Sequence, residues 1–126
     1  MATHNTLGAL GEMLAAAHLV ANGYEILAQN YRYGKAEVDI IATKNKEIIF
    51  VEVKTRSSAA FGLPETAVSR RKQEFMLAAA SNFMYEKDLE DTEIRFDIIG
   101  IVIDKKTQKT IDFSHLENAF FPNWLF

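Results

Sequence analysis

The stretch Ile48-Ile49-Phe50-Val51 sets four large apolar side chains in a row and then changes abruptly to Glu52-Val53-Lys54. Successive side chains of a β-strand point to opposite faces. A run without alternation therefore needs apolar cover on both sides, which is the environment of a central strand between helical layers. The strand is expected over Glu47 to Thr55, and the rest of the chain must supply its neighbours and its cover. Two strand-like runs precede it, Tyr24 to Arg32 and Ala36 to Thr43. The first ends at the turn Tyr33-Gly34-Lys35 and the second at Lys44-Asn45-Lys46. Short polar turns of this kind join antiparallel neighbours.

Cover comes from two helical patterns. The first runs from Thr6 to Asn22, with Asn5 or Thr6 as cap, Leu7, Leu10, Leu14, Ala17 and Ala21 at helical spacing, and Asn22-Gly23 as the stop. The second starts near Glu65 or Ser69, after a loop from Arg56 to Pro64, and ends at Glu86. Its stripe is Phe75, Met76, Ala79 and Phe83. Ile94 to Ile103 is a further strand. A turn at Asp104 to Thr107 leads to a short strand over Lys109 to Phe113, and the tail from Ser114 holds one helical turn before Pro122. The order α-β-β-β-α-β-β predicts an α/β fold in which a meander and a crossover form a mixed sheet with flanking helices.

Composition narrows the function. The 126 residues contain no internal repeat and no linker, so a single domain over 1–126 is expected. Zero cysteines exclude disulfides, thiolate metal sites and cysteine nucleophiles. No run reaches the ~18 apolar residues of a membrane span, and the N-terminus lacks a secretory pattern, so a cytoplasmic protein without membrane contact is expected. A net charge of −3 argues against a protein that simply coats DNA by charge. His4, His18 and His115 show no ligand spacing, and no Gly-rich phosphate loop or Ser-His-Asp pattern is present.

The chemistry concentrates around the central strand. Glu52 and Lys54 share a face, and the same alternation puts Glu37 with Asp39. Asp39 and Glu52 lie nearly equally far from Asn45, so a hairpin brings them close to opposite one another. Two carboxylates held together repel, burial makes their ionisation harder, and a divalent cation relieves both. Mg²⁺ takes such hard oxygen ligands and keeps several waters. A lysine beside them can orient or deprotonate an attacking water, or stabilise charge developing on phosphate, which suits phosphodiester hydrolysis. An ordinary solvated face would carry the same residue types. What separates the two is the apolar flank of the host strand and the second acid at a matching place.

Lys72 falls inside the apolar stripe of the second helix, where it either snorkels to the edge or points toward Glu52 and Lys54. Arg70 and Arg71 flank it and, with Lys54 and Arg56, make a basic cluster suited to a nucleic-acid backbone. Glu12 lies off the stripe of the first helix and reads as solvated. The tail Ala119 to Phe126 is strongly apolar, and either folds onto the sheet or serves a homodimer contact.

These residues carry a family resemblance over most of the chain. Gly11-Glu12, Gly23-Tyr24, Asn30-Tyr31-Arg32, Glu37-Val38-Asp39-Ile40-Ile41-Ala42, Phe50 to Arg56, Phe61-Gly62, Lys72 and Arg95-Phe96-Asp97 match in turn. The chain resembles the YraN-like family, placed among the restriction-endonuclease-like, PD-(D/E)xK nucleases, and is distantly similar to archaeal Holliday junction resolvases. Val38 stands where the superfamily motif has proline, and Ala36 where the family has glycine. The resemblance implies a restriction-endonuclease-like core, with Asp39, Glu52 and Lys54 as the catalytic signature. It also implies Glu12 as an additional metal-reaching acid and Lys72 as a site-facing residue.

The expectation is therefore a Mg²⁺- or Mn²⁺-dependent endonuclease, with branched or damaged DNA as a candidate substrate. Asp39, Glu52 and Glu12 would hold the metal, Lys54 would position water, and Lys72, Arg56 and Arg70 would contact phosphates. The alternative is a catalytically inactive nucleic-acid-binding or protein-interaction module of the same fold.

Overall fold

A computed structural model describes residues 6–57 and 68–120. Its elements are α1 (Thr6–Ala21), β1 (Glu25–Tyr33), β2 (Ala36–Lys44), β3 (Glu47–Ser57), α2 (Arg70–Glu86), β4 (Glu93–Ile103) and β5 (Thr110–Leu116). The order is the α-β-β-β-α-β-β expected for a restriction-endonuclease-like core. The five strands form one sheet in sequence order, β1-β2-β3-β4-β5. Only β3 and β4 run parallel, joined across the sheet by the segment that contains α2; the other pairs are antiparallel.

β3 is the central strand. Ile49, Phe50 and Val51 are fully buried, Ile49 and Val51 against α1 and Phe50 against α2. Each such side chain contributes roughly 1.5–3 kcal/mol by leaving water. On the α2 face, Met76, Ala79 and Phe83 pack on Val38, Ile41, Phe50 and Phe96. On the α1 face, Ala15 and Leu19 pack on Ile40, Ile49, Val51 and the β4 isoleucines. The β2–β3 hairpin closes with Lys44 opposite Glu47, and Asn45 and Lys46 both take positive φ (53° and 67°). Two left-handed residues make the turn whose twist suits a tight hairpin.

The buried line of α1 differs from the expected stripe. Gly11, Ala15 and Leu19 face the sheet, Leu7, Leu10 and Leu14 flank them, and Ala17 and Ala21 are exposed. A helix apolar on nearly all sides gives little rotational signal, and the close approach at Gly11 sets the rotation. A Cβ there would collide with the side chain of Thr55 on β3. Gly11→Ala is expected to destabilise the protein by roughly 1–3 kcal/mol through overpacking, despite alanine's better helix propensity. Urea denaturation of the variant, alone and with Thr55→Ala, checks this: the second change should recover part of the loss. At its other end α1 stops at Gly23 (φ 88°), with the Tyr24 amide donating to the Leu19 carbonyl at 3.0 Å.

α2 begins at the Ser69 cap, whose hydroxyl accepts from the Lys72 amide at 3.1 Å. Strand β3 continues to Ser57 rather than ending at Thr55, since each added residue pairs with β4 as far as Ile103. β5 likewise runs to Leu116 where a tail was expected, paired to Ile98. Phe120 stacks on Phe96 with ring centroids 5.0 Å apart, which folds the start of the apolar tail onto the sheet. Residues 121–126 lie outside the described residues, as do Phe61-Gly62, Pro64 and the proposed cap Asn5. No helix of the described residues is long and apolar enough to cross a membrane.

Candidate functional site

The acids meet where the β2–β3 ladder stops. The last β2–β3 pair is Ile40 with Val51, so Asp39 and Glu52 come next in register, as the hairpin geometry requires. Beyond that pair the backbone ladder is replaced by a side chain: the Val53 amide donates to Asp39 Oδ2 at 2.7 Å. Glu37 and Asp39 stay within electrostatic reach of each other, and both act on Glu12 of α1. Val38 packs in the α2-side core while Ile40 packs in the α1-side core. The pleat therefore changes phase at Asp39, and its carboxylate turns along the sheet toward β3. Opposite, on β1, Ala28 and Tyr31 both face α2, with Asn30 between them at φ 53°. Asparagine tolerates this left-handed conformation better than most residues.

Glu52 is mostly buried on the α2 face and faces Lys72 Nζ at 3.5 Å. This contact lacks hydrogen-bond geometry, and Glu52 Oε1 is buried with no hydrogen-bond partner among the described residues. Lys72 also donates to the Glu37 carbonyl at 3.4 Å. Of its two possible roles, Lys72 takes the inward one. Lys54 lies two residues beyond Glu52 and is half-buried on the same face. Arg56 follows on that face, half-buried. Arg70, at the start of α2, is exposed and pairs with Glu74 at 3.7 Å.

Electrostatics reflect the crowding. Burial, then the charge of Asp39, pushes the Glu52 carboxyl up to about 7, against the pull of Lys72 and Lys54. Burial also raises Asp39, although the Val53 amide and Lys72 oppose it. Glu12 is not solvated as its place off the helical stripe suggested. It is half-buried, and its carboxyl is raised by burial and by Asp39 and Glu37, while the Asn30 side chain hydrogen-bonds it and works the other way. Sequence reasoning did not single out Asn30. A strand-breaking residue inside a strand, beside the acids, was the available signal.

No three His, Asp or Glu side chains among the described residues converge closely enough to chelate an ion by themselves. Mg²⁺ commonly binds through one or two carboxylates and retains water, so a pair such as Asp39 and Glu52 would be enough to hold one. The orphaned Glu52 Oε1 is the kind of hard oxygen such an ion seeks. The residues present fit a divalent cation in this sense, with Glu12 held within electrostatic reach.

A second polar cluster lies on the α1 face. Asp97 is fully buried, and Arg95 grips both its oxygens at 2.8 and 2.9 Å. His115 Nε2 lies 2.7 Å from Asp97 Oδ2, and His18 Nε2 lies 3.2 Å from His115 Nδ1. The histidines that looked scattered are thus partners across 97 positions of sequence. The Asn118 amide and the Tyr24 hydroxyl complete the cluster. Burial alone would raise Asp97, but the hydrogen bonds from His115, Arg95 and Asn118 hold it below the usual carboxylate range.

Comparison with known proteins covers all of these motifs. The profile of the uncharacterised protein family UPF0102 matches residues 11–101. A UPF0102 protein of Christiangramia forsetii is 46% identical over 121 residues, 96% of this chain and 98% of its own length. UPF0102 protein FP2501 of Flavobacterium psychrophilum is 44% identical over 121 residues, with the same coverage of both chains. UPF0102 protein Cpha266_0037 of Chlorobium phaeobacteroides is 42% identical over 117 residues, 90% of this chain and 92% of its own length. With the profile matched over residues 11–101 and relatives matched over nearly their whole length, the chain belongs to the UPF0102 family.

Proposed function

We propose that this protein is a divalent-cation-dependent endonuclease that hydrolyses DNA phosphodiester bonds. One observation carries the reading: two buried carboxylates from adjacent strands share a pocket with Lys72, and one of their oxygens has no hydrogen-bond partner among the described residues. Leaving a buried acceptor without a hydrogen bond costs about 1–3 kcal/mol, which the Lys72 ammonium at 3.5 Å offsets only in part, since burial and Asp39 still push the carboxyl up. Asp39 and Glu52 would hold Mg²⁺ or Mn²⁺, with Glu12 adding negative charge from α1. When bound, such an ion offsets the repulsion between the acids, polarises a phosphoryl oxygen and makes water more acidic.

The protein's own groups account for the rest. Lys54 carries its ammonium on the Glu52 face, suited to orienting the attacking water and to stabilising charge on the phosphate. Lys72, Arg56 and Arg70 supply positive charge beside the acids for the neighbouring phosphates. In the reaction, the water oxygen forms a bond to phosphorus, a bridging ester bond breaks, and a proton ends on the departing alkoxide. Branched or damaged DNA remains the candidate substrate suggested by the distant likeness to Holliday junction resolvases.

The test is incubation of duplex, single-stranded and four-way-junction DNA with Mg²⁺ or Mn²⁺, with EDTA as control. Cation-dependent cleavage that disappears in Asp39→Ala and in Lys54→Ala is the expected result. Cleavage surviving either change would overturn the assignment. Calorimetric titration with Mn²⁺ separates the non-catalytic alternative, because an inert module has no need of a cation at these acids.

A further inference from the structure

We propose that the β4–β5 turn is a second phosphate-contacting arm, and that the ligand spanning from it to the acids is a DNA duplex. This rests on the reading of the site as a nuclease and specifies the surface that would bind its substrate. β3 and β4 are parallel and end together, with Ser57 opposite Ile103. The turn that follows Ile103 therefore projects from the end toward which β3 runs past Glu52, five residues beyond that acid along the strand. It carries Lys105, Lys106 and Lys109, all exposed and none in an ion pair among the described residues. At that same end, on the other flank, the β1–β2 turn presents Lys35, with Arg32 just before it on β1 paired to Glu37 at 3.8 Å, both cations exposed.

The turn is built to hold its lysines still. Asp104 Oδ1 accepts from the Lys106 and Thr107 amides at 2.8 and 3.2 Å. The Asp104 amide donates to the Lys109 carbonyl, and the Gln108 amide donates to the Asp104 carbonyl, both at 2.8 Å. Gln108 takes a left-handed φ of 63° to close the loop. Local hydrogen bonds thus fix the backbone of a segment that packs no apolar side chain into the core.

Charge is divided along the strands. Of the 14 lysines and arginines, only Lys44, Lys46, Lys87 and Arg95 lie away from the half of the fold toward which β3 and β4 run. The opposite end gathers Asp88, Glu90, Asp91 and Glu93. A net charge of −3 therefore conceals a positive half and a strongly negative end opposite it. The two basic turns stand about three strand spacings apart, roughly 14 Å, against a major groove about 12 Å wide. Phosphates on the two strands of a duplex bracket that distance, whereas a single strand offers only one row of charge. The acids lie on the two strands between the turns, set back from them along the sheet.

Fluorescence anisotropy with a labelled 20-base-pair DNA duplex and its single strand, in EDTA so that nothing is cleaved, tests the arm. K105E/K106E/K109E should weaken duplex binding at least tenfold at 0.1 M salt. It should also flatten the dependence of log K on log salt by about 2–3, the slope expected for three lost phosphate contacts. The milder triple Lys→Gln variant should act in the same direction, and K46E/K87E at the far end should stay within twofold of the unmodified protein. If the unmodified protein binds duplex and both triple variants bind it equally well, the arm is wrong and the nuclease reading survives. Equal losses at both ends, or single strand bound as tightly as duplex, also overturn it. If the unmodified protein binds neither DNA, the reading of the site falls as well.

Discussion

Glu52→Gln is expected to abolish function and stabilise the protein at the same time. Loss of this carboxylate should lower cation-dependent cleavage on the order of 10³-fold, the scale of losing a group that acts on the reacting centre. In the absence of metal, the same change at pH 8 should raise stability by roughly 2–3 kcal/mol, which for a domain of this size moves Tm by several degrees. The sign follows from linkage. The Glu52 carboxyl sits near 7 in the fold, above its ordinary value of 4.5, so the folded state holds this proton more tightly than the unfolded chain. Its contribution is intact below about pH 4.5, and stability falls as pH rises through about 7. Asp39 and Glu12 are raised as well and add in the same direction.

His18 runs the other way. Burial, then His115, lowers it, so its contribution grows as pH rises. The difference between the melting curves of Glu52→Gln and the unmodified protein, taken from pH 5 to pH 8, reads Glu52 together with its interaction with Asp39. A difference that is small at pH 5 and grows toward pH 8 is the expected pattern. Mg²⁺ or Mn²⁺ should raise Tm of the unmodified protein more at pH 8 than at pH 5, where protons compete for the same oxygens. Glu52→Gln should lose most of that shift. A flat difference curve, or an equal metal response in the variant, would contradict the strained carboxylate pair.

Arg95→Ala is expected to be the most destabilising single change outside the apolar core, at roughly 3–5 kcal/mol. Asp97 has no solvent exposure, and Arg95 is its one permanently charged partner. Removing the guanidinium strands a buried carboxylate, held then by His115 and the Asn118 amide alone. Asp97→Asn should cost less, because the Arg95 side chain is partly exposed and keeps Glu47 at 3.5 Å and Glu117 at 3.8 Å. Urea denaturation of the two single variants and the double variant gives the coupling. A loss below about 1 kcal/mol in Arg95→Ala would mean the remaining hydrogen bonds satisfy Asp97. The cluster ties α1 through His18, β5 through His115, β4 through Asp97 and the start of β1 through Tyr24. Its loss should therefore loosen the α1 face as a unit.

The central strand and the hairpin register were legible because each rests on local pattern. Four apolar residues in a row admit one kind of environment, and a three-residue polar turn fixes which residues face each other across it. That arithmetic put Asp39 beside Glu52. The orientation of α1 was not legible, since a helix with almost no polar face can be rotated freely on paper. A close approach between Gly11 and Thr55, 44 positions apart, decides it. Lys72 was ambiguous because an apolar stripe permits both inward and outward lysines; only the position of Glu52 on the neighbouring strand resolves it. The Asp97 cluster lay beyond sequence reading altogether, because its members are brought together by sheet order rather than spacing. The phase change at Asp39 belongs with it. Alternation predicts a regular pleat, and only an asparagine inside the neighbouring strand hinted otherwise.

That phase change makes one backbone amide a built-in reporter. The Val53 N–H rests on the Asp39 carboxylate instead of a strand carbonyl, so its nuclear-magnetic-resonance frequency and its exchange with deuterium follow the protonation and loading of that acid. Cation occupancy can thus be watched at a single peak, without DNA and without turnover.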